Sequence, residues 1–188
     1  MKSNLQVWAV MVFLLMGFGM LTWGVQTSVT YQRSDWKHWI DADGDCQNTR
    51  HEVLIRDAIT FQLSSDGCRV ISGTWEDPYS GRIYNNPEQM HVDHFVPLEN
   101  AHHSGGYAWT LAEKRAFAND LNYRWHLLAV SASENLRKGS KAPDQYRPPN
   151  REFWCQYGQA WASIKASWRL SLTESERQAL RLLLSTCQ

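Results

Sequence analysis

Apolar and polar positions divide the chain into one leading apolar stretch and a body of short amphipathic elements. Val7 to Val25 is uninterrupted by charge, and Lys2 is the one charge among residues 1–6. That pattern predicts a targeting segment over residues 1–27, either an export signal peptide or a membrane anchor. The run is long for a signal-peptide core and suits a single span; a weak cleavage site stands at Thr22-Trp23-Gly24 without an Ala-x-Ala motif. In either case the body, residues 38–188, is expected outside the cytoplasm, periplasmic or extracellular, and tethered by residues 7–25 if the segment is not cleaved. Residues 28–37 are polar and are expected to be a linker.

Within the body, apolar residues from Val53 to Phe61 recur at helical spacing and predict a helix over His51 to Phe61. Cys68 to Trp75 alternates as a strand, Asp77-Pro78-Tyr79-Ser80-Gly81 is a turn, and Gly81 to Tyr84 is the returning strand. His91 to Pro97 and Arg124 to Val130 are further strands, and Glu99 to Tyr107 is a loop holding His102, His103, Gly105 and Gly106. Thr110 with Glu113 is a capping box opening a helix from Leu111 to Leu121, and Thr173 with Glu176 opens a last helix through Leu184. Ser131 to Leu136 carries Asn135 on a short helix, Ala142 to Asn150 is a proline-rich loop, and Arg151 to Leu170 is helical. The aromatics Phe153, Trp154, Tyr157, Trp161 and Trp168 on that last helix form a core stripe rather than a cofactor box. The expected class is α+β.

Composition narrows the chemistry. Of the 188 residues, ten are Trp and four are Cys, and the formal net charge is zero. Zero net charge means the global field does not attract polyanions, although a local basic patch would suffice. Arg137, Lys138, Lys141, Arg147 and Arg151 crowd one segment against Asp144 alone. No Cys-x-x-Cys pair exists, which argues against a zinc knuckle. An even cysteine count behind an export signal predicts two disulfides. Three connectivities are open; Cys46–Cys68 with Cys155–Cys187 is favoured because each pair brackets a local segment. Asp41, Asp43, Asp45 and Glu52 fall at calcium-loop spacing, but Cys46 stands where the turn glycine belongs and Asn48 where an apolar residue belongs. An Asp/Gly turn pinned by a disulfide is the better expectation there.

The densest chemistry lies in His91-Val92-Asp93-His94-Phe95-Val96-Pro97-Leu98. Phosphodiester hydrolysis needs a base for water and a cation for the phosphate, which one imidazole and one divalent metal can supply. Asp93-His94 at a strand end, followed by Asn135 on a helix after an apolar strand, offers both. With Ser104-Gly105-Gly106, Ala116 to Asp120, Leu127 to Ser133, Asn135-x-x-Lys138-Gly139, Asn48 to Asp57 and Ser72 to Gly81, the ordered set resembles the HNH endonuclease superfamily. Within it, residues 36–187 are similar to the exported group related to the GmrSD C-terminal domain.

That resemblance implies a ββα-metal core with an additional N-terminal helix and C-terminal helices, and a metal-dependent endonuclease acting on DNA, with RNA as a second candidate substrate. By family analogy its products carry 5′-phosphate and 3′-hydroxyl ends. It implies His94 as general base, Asp93 and Asn135 as ligands of one divalent ion (Mg²⁺, or Mn²⁺ or a similar ion), and Lys138 as the phosphate contact. His126 stands where the family has its central Asn; it either orients His94 or binds metal, and Asn122 is the alternative. Arg50 and Glu52 match upstream positions, with Arg50 on phosphate and Glu52 fixing it or lining the cleft; a buried ion pair is the alternative. His91 shares a strand face with Asp93. Trp75 is expected in the core rather than stacked on a base. No helix-turn-helix or zinc-finger reader is present, so low sequence specificity is expected, and no protein partner is evident. The competing function is a non-catalytic envelope binding protein on a nuclease scaffold.

Overall fold

A computed structural model describes residues 30–187; the expected leader over 1–27 lies outside them. Within the stretch expected as a linker, Trp36 is fully buried in the main core, and Asp35 pairs with Lys114 at 3.2 Å.

Helix α1 (Thr49–Asp57) begins where the Asn48 side chain accepts the His51 N–H at 3.2 Å. It ends at Asp57, short of the expected Phe61. The Asp57 carboxylate takes both prongs of Arg56 at 2.9 Å and the Ala129 N–H at 3.0 Å, which pins the helix end to a distant strand. Beyond it the backbone turns extended, and Ile59 N–H donates to the Thr74 carbonyl at 2.8 Å. Ile59 and Phe61 suit either period over so short a run.

Strands β1 (Thr60–Leu63), β2 (Val70–Asp77) and β3 (Arg82–Tyr84) form an antiparallel sheet with β2 central. Gly73 is required in β2: a Cβ there would lie 2.5 Å from the Trp75 ring and 2.6 Å from the Thr60 carbonyl oxygen. Trp75 is a core residue, its indole N–H donating to the Leu54 carbonyl at 2.8 Å. Cys46–Cys68 closes the Asp41–Asp45 turn, whose carboxylates accept the turn's own backbone N–H groups.

Strand β4 (Met90–His94) leads into helix α2 (Leu98–His103), where a loop was expected. Burial of Leu98, Ala101 and His102 orders this turn, which lacks a side-chain cap at its start. Helix α3 (Leu111–Ala118) carries the expected capping box of Thr110 and Glu113. Strand β5 (Leu127–Ser131) pairs antiparallel with β4, setting His91 opposite Val130, Asp93 opposite Leu128 and His94 opposite Leu127. Helix α4 (Ala132–Lys138), capped by Ser131, packs back across this ribbon.

The ribbon divides two cores. Val92, Leu127 and Ala129 face one containing Val53, Leu54 and Trp75; Leu128 and Val130 face the other, with Phe95, Tyr157 and Trp161. Burial on both faces explains why β5 reads as a continuous apolar run instead of alternating. The larger core is closed by helices α5 (Trp154–Ser167) and α6 (Glu174–Leu184). Cys155–Cys187 staples them, and a buried Lys165–Glu176 pair at 3.2 Å joins them. The fold is α+β with a ββα unit at its centre and both favoured disulfides formed.

Candidate active site

The C-terminal end of β4 presents Asp93 and His94. The His94 ring is almost fully buried, and its Nε2 lies 2.9 Å from the Ala118 carbonyl. A carbonyl only accepts, so Nε2 carries the proton and Nδ1 is left as the basic nitrogen. No hydrogen bond occupies Nδ1 among the described residues. Burial is the main cause holding His94 well below its ordinary pKa, which keeps the imidazole neutral; the Ala118 bond opposes this, and His126, His38 and Arg33 add to it. Trp39 stacks on the ring at 5.2 Å, held there in a left-handed backbone conformation (φ 57°), and His38 meets its edge at 5.7 Å. His94, Asp93 and Asn135 line one cleft of about 220 Å³, together with Arg33, Pro97 and Gly139.

His126 is also buried, but its ring nitrogens meet partners other than His94. Its Nε2 donates to the Phe117 carbonyl at 2.7 Å, and Nδ1 lies 3.8 Å from Asp120. The two imidazoles therefore grip consecutive carbonyls at the end of α3. Of the two roles expected for His126, a hydrogen bond that orients His94 is not made: the Ala118 carbonyl orients the His94 ring, and His126 bonds the neighbouring peptide. Asn122 is exposed and bonded to Asp120 at 2.9 Å, outside the cleft.

Asp93 and Lys138 depart further from expectation. Lys138 is 0% exposed and its Nζ lies 2.9 and 2.8 Å from the two Asp93 oxygens and 3.0 Å from the His94 carbonyl. It is not a free arm reaching for phosphate, because its ammonium is held between the Asp93 carboxylate and the His94 carbonyl. The Tyr79 hydroxyl donates to Asp93 at 2.7 Å. Burial pushes the Asp93 carboxyl up and the Lys138 amine down, each opposed by the partner's charge.

Asn135, one helical turn before Lys138, places its amide nitrogen 3.2 Å from Nδ1 of half-buried His91. Two rungs thus join α4 to β4: Asn135 to His91 and Lys138 to Asp93. Arg50 is half-buried, donating to the Met90 carbonyl at 3.1 Å and the Pro87 carbonyl at 3.4 Å. It does not pair with Glu52 among the described residues. Burial and then the Asp43, Asp45 and Asp41 charges raise the Glu52 pKa, so Glu52 faces the acidic turn, not the cleft. His102 packs among Tyr31 and Trp36, and His103 is exposed. Within the basic run, exposed Arg147 and Arg151 lie over the same Trp154 ring, and Arg137 pairs with Glu134 at 3.1 Å. Tyr79, Trp39 and Arg33 were not anticipated. Tyr79 lies in a turn motif, and nothing local announces that its hydroxyl reaches Asp93.

An antiparallel ribbon with a helix across it, a histidine of fixed tautomer at the first strand's end and an asparagine on the helix define a ββα, HNH-type nuclease-related domain. More particularly, residues 48–182 match the family described as GmrSD restriction endonucleases, C-terminal domain, and the chain belongs to that family. An "Uncharacterized secreted protein" of Arthroderma benhamiae is 39% identical over 157 residues, covering 84% of this chain and 76% of that protein. No solved structure matches. The two disulfides are compatible with export. Among the described residues no helix is long and apolar enough to cross a membrane.

Proposed function

We infer that this protein is an exported, metal-dependent endonuclease that hydrolyses phosphodiester bonds of DNA, with RNA as a second substrate class, at low sequence specificity. The observation that carries this reading is His94: a neutral imidazole whose one proton is committed to the Ala118 carbonyl, leaving Nδ1 basic beside a cleft lined by Asp93 and Asn135. A base so placed takes a proton from water as it attacks phosphorus, an effect worth roughly 10²–10⁴-fold in rate. The Trp39 stack and the Ala118 carbonyl hold the ring so that its reorientation does not compete with proton transfer.

The residues fit a divalent ion. Asp93 and Asn135 offer hard oxygen donors on one cleft, and the Lys138 ammonium already sits on Asp93 as a stand-in positive charge. Mg²⁺ or Mn²⁺ held there would offset charge on the phosphate and the leaving oxygen. Exposed Arg33, which lines the same cleft, is a cation within reach of a bound phosphate.

The test is plasmid DNA and a structured RNA incubated with the full chain, with and without Mg²⁺ or Mn²⁺, beside His94→Ala. Metal-dependent cleavage lost in the variant is expected. The full engagement of Asp93 by Lys138 and Tyr79 favours the competing non-catalytic binding protein, and absence of cleavage in any divalent ion by folded protein would establish that reading instead.

A further inference from the structure

We propose that Lys138 is a resident cation that a divalent ion displaces from Asp93, and that the displaced ammonium then serves the cleft as a phosphate contact. This rests on the reading that Asp93 and Asn135 hold the ion. A carboxylate has about four lone-pair sites. On Asp93, Lys138 takes one on each oxygen and Tyr79 takes another. Tyr79 is a neutral donor whose bond survives a cation on the same group. Lys138 is not: its ammonium lies within 3.0 Å of both carboxylate oxygens and the His94 carbonyl, and a second positive charge on that carboxylate is repelled by it.

The exit lies beside the lysine. Asn135, Leu136 and Gly139, on either side of Lys138 in sequence, line the cleft, although the Lys138 side chain is itself fully buried. Rotation of its long, flexible stem carries the ammonium off Asp93 toward that space. At Gly139, which closes the helix with φ 53°, a Cβ would meet only the Leu136 carbonyl oxygen, at 3.8 Å. In the metal-free protein the lysine neutralises a carboxylate that would otherwise be buried unpaired. With metal bound, the same charge becomes available to substrate.

Two measurements on the full chain test this. In the first, native protein is acylated with an N-hydroxysuccinimide ester in chelator or in saturating Mn²⁺, and each lysine is followed by peptide mass spectrometry, with exposed Lys141 as the internal standard. Lys138 is expected to be protected in chelator and to react at least about tenfold faster in Mn²⁺, as an opened site does. Protection that persists at saturating Mn²⁺ overturns the proposal. In the second, calorimetry compares Mn²⁺ binding by native protein and Lys138→Met; removing the competitor should tighten binding by about tenfold or more. Equal or weaker binding by the folded variant overturns the proposal while leaving the ion site standing. If neither protein binds Mn²⁺, the Asp93–Asn135 ion site itself fails and the proposal falls with it. A variant that does not fold leaves the decision to the labelling.

Discussion

Acid should unfold this protein through its two gripped histidines. His94 and His126 are both held below their ordinary pKa of 6.5, chiefly by burial. The unfolded chain therefore binds a proton at each position that the folded protein refuses. The sign follows: a lowered histidine pKa contributes stability that is present above pH 6.5 and is lost as pH falls toward the folded-state value. Each imidazole loses up to about 1.4 kcal/mol per pH unit in that window, so the pair loses up to roughly 3. The Asp120 carboxylate opposes the shift at His126, and the raised Asp93 carboxyl works in the other direction at lower pH, while His51 and His91, less buried and also lowered, add to the slope in the same window. Urea unfolding at intervals from pH 7.5 to 5.0 measures it. His126→Gln should flatten the slope by up to about 1.4 kcal/mol per pH unit, and His94→Gln should do the same. Stability that stays level between pH 7 and pH 5, or a slope indifferent to both substitutions, would refute the assignment of neutral, carbonyl-bound imidazoles.

Tyr79→Phe deletes a hydroxyl donating to buried Asp93 at 2.7 Å while keeping the ring in place; about 1.5–3 kcal/mol of unfolding free energy should be lost, measured by denaturant titration at pH 7.5. Replacing Cys155 and Cys187 together by Ser opens a loop with a sequence separation of 32 residues. A loss of about 3–4 kcal/mol is expected, seen as a lower thermal midpoint that reductant no longer affects through this bridge.

Much of the site was legible because its signals are local. Asp93-His94 at a strand end, Asn135 on the following helix, and the capping boxes at Thr110 and Thr173 each depend on neighbours within a few positions. Disulfide pairing was legible for the same reason, since each bridge closes a short segment. Helix α2 was not, because its order comes from Leu98, Ala101 and His102 meeting a core assembled from the far end of the chain. Nor was the end of α1, which is set by Asp57 bonding to Ala129.

What the amino-acid order determined by itself was the inventory of elements along most of the chain and the place of the Asp93-His94 pair at a strand end. What only tertiary structure decided was the destination of the long and polar side chains. Lys138 reads as a surface lysine after a helical asparagine, yet it lies wholly inside, bound to a carboxylate 45 positions away. His126 reads as the partner of His94, yet both histidines turn to α3. A backbone pattern is satisfied by hydrogen bonds a few residues away. A buried charge must find whichever partner the packed fold brings within about 3 Å, and that partner is chosen by the whole chain.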